Sequence, residues 1–591
     1  MLKSLKTILA AALFAATLAA QIPSIPSIDS RNVAIRHTDF RFTMPKYTTL
    51  EEWEARKAHL KRQILIAAGL FPMADRTPVH AEVTGRIARA DYTIEKVALE
   101  TMPGYYLGGN LYRPLHPKGK VPAVLTPHGH WTYGRLENSA TFSGQALGVS
   151  LARQGYVAFA YDMVGYNDTP QTEHAFQSPT YQLWSFGPLS LQLWNSIRAL
   201  DFVESLPEVD SRRIAVTGAS GGGTQTFLLA AVDERVSYAA PVNMVSFQMQ
   251  GGCECENAPG LRIGTSNVEI AAMMAPRPML LVSATGDWTK NVPREEYPAI
   301  RSIYELYHQP DNVAVVQFEA EHNYNRLSRE AVYGFFAKQF AGMGGGGKLT
   351  EDDEMPVEPL LSMLVWQGRS LPSNAVTQEQ LFDEWKESGR RRMATLDAAA
   401  RRQAMLDTFH AEWPAEVLSE RRGDEVVLSR AGRGDRIPGV WLEGTGAATL
   451  VVHPDGAEAA RRDPRVSALV TAGRPVLLVD VFQTGKAVVA RDLSGKFLPS
   501  FNASDDANRV QDILTALAFL NARKAGNATV LGIGKAGVWA MFAKSMAPVE
   551  VTLSGDMERF AGTDEDFLKS LFVPGIQLVT PKGESVDGRK N

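Results

Sequence analysis

Five short, continuously apolar segments, at residues 121–126, 156–161, 214–217, 279–283 and 313–318, constrain this chain more than any other feature. Each is too short for an ordinary helix and too uniformly apolar for a strand with one wet face. They therefore read as strands buried on both sides. Helical patterns lie between them at 144–154, 189–206, 223–232 and 297–309. Such an alternation packs as a mostly parallel sheet with helices on both faces, the α/β class. Ahead of it, an amphipathic helix over 48–70 carries Leu50, Trp53, Ala58, Leu60, Ile64 and Ala68 and ends at Gly69 and Pro72. Two alternating runs across 85–113 read as an antiparallel hairpin, and a last helical pattern covers 328–340.

At roughly 150 residues per domain, a chain of 591 residues holds more than one folded unit. A net charge of -4 gives no electrostatic reason to bind nucleic acid, and none is expected as a partner. Two cysteines exclude a disulfide framework and a thiolate zinc cluster. Lys3 and Lys6, the apolar run 8–18 and the small pair Ala19-Ala20 form a secretory signal peptide over residues 1–20. Its apolar core is too short to span a ~30 Å bilayer, and no later segment offers 18 uninterrupted apolar residues. The expectation is a soluble, secreted or periplasmic protein without an integral membrane span; its oligomeric state is left open.

The chain then repeats itself. After a catalytic unit over 21–343, Gly344 to Gly347 open a linker assigned to 344–389, and 390–591 read as an eroded second copy. The helix 390–413 leads into a proline, as 50–71 leads into Pro72. The strand 449–452 runs into His453-Pro454-Asp455-Gly456, where the first copy has Pro127-His128-Gly129. Gly532-Ile533-Gly534-Lys535-Ala536-Gly537 stands against Gly218-Ala219-Ser220-Gly221-Gly222-Gly223. The offset drifts from 327 at Gly129/Gly456 to 318 at Gly155/Gly473 and 314 at Gly218/Gly532, as small loop deletions would make it. Gly534 takes the place of Ser220 and Asp455 that of His128. With 576–579 read as the counterpart of strand 279–283, a partner for His322 would fall near 620, so the copy is expected to be degenerate and truncated.

Gly218-Ala219-Ser220-Gly221-Gly222 is a G-x-S-x-G between a strand and a helix, which places Ser220 on a sharp turn above the sheet as a nucleophile. A glycine-rich phosphate loop would need a following Lys, which is absent. In serine hydrolases built on such sheets the acid and then the histidine follow the nucleophile. His322, after the strand 313–318, is the candidate base. Asp287, in the loop after 279–283, is the candidate acid that holds the imidazole tautomer, with Glu319 and Glu321 as rivals. The oxyanion donors are assigned to the backbone N–H groups of Gly221 and His130. His128-x-His130 could instead be a metal pair, but no third ligand stands out, and the expectation is no metal.

These pieces, in this order, resemble the bacterial α/β-hydrolases of the acetyl xylan esterase and dienelactone hydrolase type across residues 45–342. The resemblance implies an α/β-hydrolase fold and carboxylic ester hydrolysis through an acyl-enzyme. It also implies small or polysaccharide-linked ester substrates, acylated plant polysaccharide above all, and no cofactor. Glucuronoyl esterases are similar but usually carry Arg after the serine, where Gly221 stands here. A prolyl-oligopeptidase-type peptidase shares the elbow, yet no blade-length repeat is visible, and a carbohydrate-binding scaffold with a vestigial triad is the non-enzymatic alternative. Trp131, Trp184 and Trp288 are the candidate substrate walls. Aromatics across 166–187 either stack on sugars or pack a lid, and Cys253 and Cys255 are either bridged or free thiols.

Overall fold

The computed structural model describes residues 24–580 apart from 75, 118, 341–348, 524–527 and 558–559. The expected signal peptide over 1–20 and the glycines 344–347 lie outside the described residues.

The first half is built on nine strands: β1 (His80–Ala88), β2 (Tyr92–Met102), β3 (Tyr105–Pro114), β4 (Val121–Leu125), β5 (Val157–Tyr161), β6 (Val209–Ala219), β7 (Val236–Val242), β8 (Met279–Ala284) and β9 (Val313–Phe318). Their order across the sheet is β1-β2-β3-β5-β4-β6-β7-β8-β9. From β5 to β9 every pairing is parallel, and β1, β2 and β3 join antiparallel in front. The expected hairpin over 85–113 is thus a meander of three strands. β4, β5 and β8 are buried along their whole length, as their apolar sequences require. The helices Gly144–Arg153, Pro188–Ser205, Gly221–Val232, Glu296–Leu306 and Arg326–Gln339 are the crossovers and cover.

A second sheet follows, with β10 (Val417–Arg422), β11 (Glu425–Arg430), β12 (Ile437–Leu442), β13 (Thr449–Val452), β14 (Val476–Val479), β15 (Ala528–Gly532) and β16 (Val551–Gly555). Its order, β10-β11-β12-β14-β13-β15-β16, repeats the first seven places of the first sheet. The senses of pairing repeat as well, antiparallel up to β14 and parallel beyond it. Two sheets that share this switch of strand order fit a duplicated fold. Gly534, after β15, has a positive φ of +56, as Ser220, after β6, has one of +59.

Among the described residues, β8 and β9 have no counterpart in the second sheet. Residues 576–579, read above as a strand, instead form the short helix Ile576–Val579. All four residues are buried, and the turn lies against the helices Gln378–Ala394 and Ala398–Phe409. Burial on every side produces a continuous apolar run in either conformation, so periodicity alone cannot separate them.

The halves pack on each other through one continuous apolar core. The helix Leu50–Ala67, started by a Thr49/Glu52 capping box, lies against Ala398–Phe409, with Arg62 Nε 3.0 Å from Asp407 Oδ2. The amides of Gly260 and Arg262 donate to the Pro499 and Ser500 carbonyls at 2.8 and 2.7 Å. The stretch assigned to a linker also lies on the first half: the Met363 carbonyl accepts from Asn110 Nδ2, and the Val365 and Trp366 amides donate to Asp168.

Candidate active site

β6 ends at Ala219, the helix Gly221–Val232 begins at once, and Ser220 takes the whole reversal at φ 59, ψ -126. A non-glycine residue there costs on the order of 1–3 kcal/mol and persists only where its surroundings hold it. The Ser220 amide donates to the Val242 carbonyl at 3.1 Å, and its own carbonyl accepts from Thr224 at 3.0 Å. Gly218 and Gly222 make the turn possible, because a Cβ on either would stand 2.3 Å from the Pro127 carbonyl oxygen. Ser220 therefore sits at a helix N-terminus, where unsatisfied N–H groups favour developing negative charge.

Asp287 and His322 are brought together: Asp287 Oδ2 accepts from His322 Nδ1 at 2.8 Å. The other carboxylate oxygen accepts from the Thr289 amide at 2.7 Å and from the Thr289 hydroxyl. The two loops are joined by backbone bonds from Thr285 to Phe318 and from Gly286 to Ala320. The Asp287 side chain is almost fully buried. On the far side of the histidine, Asn243 Nδ2 donates to the Asn323 carbonyl, and the Tyr324 hydroxyl bonds Thr217. His322 Nε2 is buried and makes no hydrogen bond among the described residues. Catalytic hydrogen bonds of this kind often tighten only when substrate is bound.

Trp131 and Trp288 flank that imidazole. The Trp131 ring is parallel to it at 6.5 Å, and the Trp288 ring lies 4.4 Å away. Trp184 does not belong to this site. It is buried between the halves, its Nε1 donating to Asp564 and its carbonyl accepting from Trp385 Nε1, with the Arg390 guanidinium over its ring. Phe176, Tyr181 and Phe186 pack on one another and against Phe382 and Trp385 at the interface of the halves, whereas Tyr166 packs on His128 and His174.

The loop 127–131 lies over the elbow. A Cβ at Gly129 would meet Ser220 Cβ at 2.9 Å, and one at Gly221 would meet the His130 ring at 2.8 Å. Gly129 thus lies against Ser220 and the His130 ring against Gly221. His128, which the sequence offered only as half of a metal pair, holds the loop. It is fully buried, its Nδ1–H donates to the Gly129 carbonyl at 2.7 Å, and its Nε2 accepts from the Met163 amide at 2.9 Å. Burial pushes this imidazole down to about 3, so it stays neutral. Beneath it, Arg135 pairs with Asp162 and Asp168 in a buried cluster, where desolvation raises Asp162 to about 6.

The His128-x-His130 pair therefore shares no site. The His130 ring turns away from His128 to meet His174, Cys253 and Cys255. Both cysteines are free thiols. A hydrogen bond from Cys255 draws Cys253 well below the usual thiol range, while burial pushes Cys255 up. Sequence reasoning missed His174 altogether, since nothing in its spacing points to the other three.

Comparison with known proteins shows similarity of the chain to hydrolases and esterases. Residues 107–248 match the model of the dienelactone hydrolase family. The solved structure of methylesterase BT1017 is 31% identical, covers 58% of this chain and 78% of its own, and superposes with a TM-score of 0.50. YtaP of Bacillus subtilis (strain 168), named as a hydrolase, is 25% identical over 252 residues, 39% of this chain and 81% of that protein. A glucuronoyl esterase from Solibacter usitatus is 16% identical, with 55% of this chain and 100% of that one covered at a TM-score of 0.38.

Proposed function

We propose that this chain, whose residues 107–248 match the dienelactone hydrolase family model within an α/β-hydrolase fold, is an exported serine carboxylic-ester hydrolase acting on acylated plant polysaccharide. Ser220 Oγ attacks the ester carbonyl carbon while His322 Nε2 takes its proton. The Gly221 and His130 amides hold the oxyanion. The imidazolium, stabilised by Asp287, returns the proton to the departing alcohol, and water then releases the acid from Ser220 by the same steps in reverse roles. The observation that carries this reading is the His322 imidazole, fixed at Nδ1 by Asp287 and presenting a buried Nε2 without a hydrogen-bond partner among the described residues.

Trp131 and Trp288 would line the approach to the ester. Residues 390–591 would contribute cover and substrate positioning without turnover, since Gly534 offers no nucleophile. Among the described residues no helix is long and apolar enough to cross a membrane, and export rests on the basic and apolar pattern of residues 1–20. A second reading, cleavage of methyl esters, is favoured by the 31% identity to a methylesterase. Incubating the purified protein with acetylated xylan, methyl-esterified pectin and glucuronoyl esters separates these readings. Acetate release supports the first, methanol release the second, and no release from any ester overturns both.

A further inference from the structure

Four side chains with metal-binding donors, from three separate loops, converge beside the oxyanion loop. His130 follows β4, His174 lies in the connection after β5, and Cys253 and Cys255 lie in the loop after β7. Their ligand atoms are all within 4.8 Å of one another. The two Nε2 atoms are 3.1 Å apart, His130 Nε2 is 3.2 Å from Cys255 Sγ, and His174 Nε2 is 3.4 Å from Cys253 Sγ. A tetrahedral zinc ion, with Zn–N ~2.0 Å and Zn–S ~2.3 Å, sets its ligand atoms about 3.3–3.8 Å apart. These three contacts lie within a few tenths of an ångström of that spacing, and the widest pair, at up to 4.8 Å, has to close by about 1 Å to reach it.

The surroundings prepare the donors for a cation. His174 Nδ1 lies 2.7 Å from the Val164 carbonyl, which can only accept, so the proton is on Nδ1 and the Nε2 lone pair faces the cluster. Glu256 is not a competing ligand. Its carboxylate accepts from the Gly252 and Cys253 amides at 2.9 and 3.1 Å and from the Thr224 hydroxyl at 3.0 Å. That ties the cysteine loop to the helix behind Ser220. Two cysteines are too few for an all-thiolate cluster, which is why the sequence pointed to no metal. A mixed set needs only two.

We propose that His130, His174, Cys253 and Cys255 form a tetrahedral zinc site that clamps the oxyanion loop to the two loops facing it. Two sulfurs and two imidazoles select zinc over harder cations. Four protein ligands leave no open position for a reactive water, so the ion is structural. Through His130 it holds the main chain beside Gly221, and this part of the proposal rests on the ester-hydrolase reading above.

The test uses the full-length protein and reads metal first. Protein produced with zinc should retain about one zinc per chain through gel filtration, as closed structural sites do. Replacement by cobalt should give thiolate charge-transfer absorption and the visible bands of a tetrahedral ion. Cys253→Ser and His174→Ala should each lower zinc affinity by at least ~10-fold. Chelation should lower kcat on a small ester with KM little changed, and added zinc should restore it. A Cys253–Cys255 disulfide in the isolated protein, or reduced wild type that binds no more zinc or cobalt than Cys253→Ser, overturns the site. Full activity after verified metal removal overturns the clamp on the oxyanion loop and leaves the esterase reading standing.

Discussion

Replacing Asp287 by Asn changes one atom's chemistry, and its consequence follows from the carboxylate's partners. One oxygen of Asp287 accepts from the Thr289 amide and hydroxyl, the other from His322 Nδ1. The asparagine side chain has one acceptor and one donor. The Thr289 N–H is fixed backbone and must keep an acceptor, since a buried donor left unpaired costs roughly 1–3 kcal/mol. The amide NH2 is then turned toward His322, whose Nδ1 has to accept, which moves the ring proton to Nε2. An Nε2 that already carries a proton cannot take one from Ser220. Turnover should fall by about 10⁴-fold at neutral pH, the scale seen when a triad imidazole is held in the wrong tautomer. Thermal stability should stay close to wild type, because each hydrogen bond is replaced. Steady-state hydrolysis of p-nitrophenyl acetate and the rate of fluorophosphonate labelling measure the effect. A variant within about threefold of wild type, well short of the ~10⁴-fold loss expected of a triad acid, would refute the reasoning and return the acid role to Glu319 or Glu321.

Trp184→Phe should leave kcat/KM within about twofold while lowering stability by about 1–3 kcal/mol, because it deletes the hydrogen bond to Asp564 across the two halves; a raised KM on polymer at unchanged stability would restore a substrate role. His128 titrates near 3 when folded against 6.5 when free. The unfolded chain therefore binds the proton first, and stability falls with acid by about 1.4 kcal/mol per pH unit below 6.5. Urea unfolding at pH 7 and pH 5 should show His128→Asn losing about 2 kcal/mol less than wild type over that interval; equal losses would contradict a neutral buried His128. Ser220→Ala combined with Gly534→Ser should remain inactive on p-nitrophenyl esters, because members of a triad act as a unit; recovered turnover would give the second half a base of its own.

Where local pattern decides structure, the sequence was readable. The alternation of doubly buried strands with helices led to the parallel sheet, and the glycines around Ser220 led to a turn that only small neighbours allow. The matching strand order of the two sheets fits the repeat read from the sequence, since insertions and deletions leave the order of strand, glycine and helix intact. What depends on long-range packing was not. Trp184 looks like a sugar platform until Asp564, 380 residues away, takes its N–H. The apolar run 576–579 is a strand or a helix until its neighbours are known. His174 is 44 residues from His130 and 79 from Cys253, and no spacing motif joins loops that only the sheet brings together.

The most direct test of a Ser220 nucleophile is to label the intact protein with a fluorophosphonate and map the adduct by mass spectrometry. The geometry predicts a single modified residue, Ser220, with labelling and ester hydrolysis both abolished in a folded Ser220→Ala protein. An adduct on another serine, or ester turnover that survives in Ser220→Ala, would contradict it.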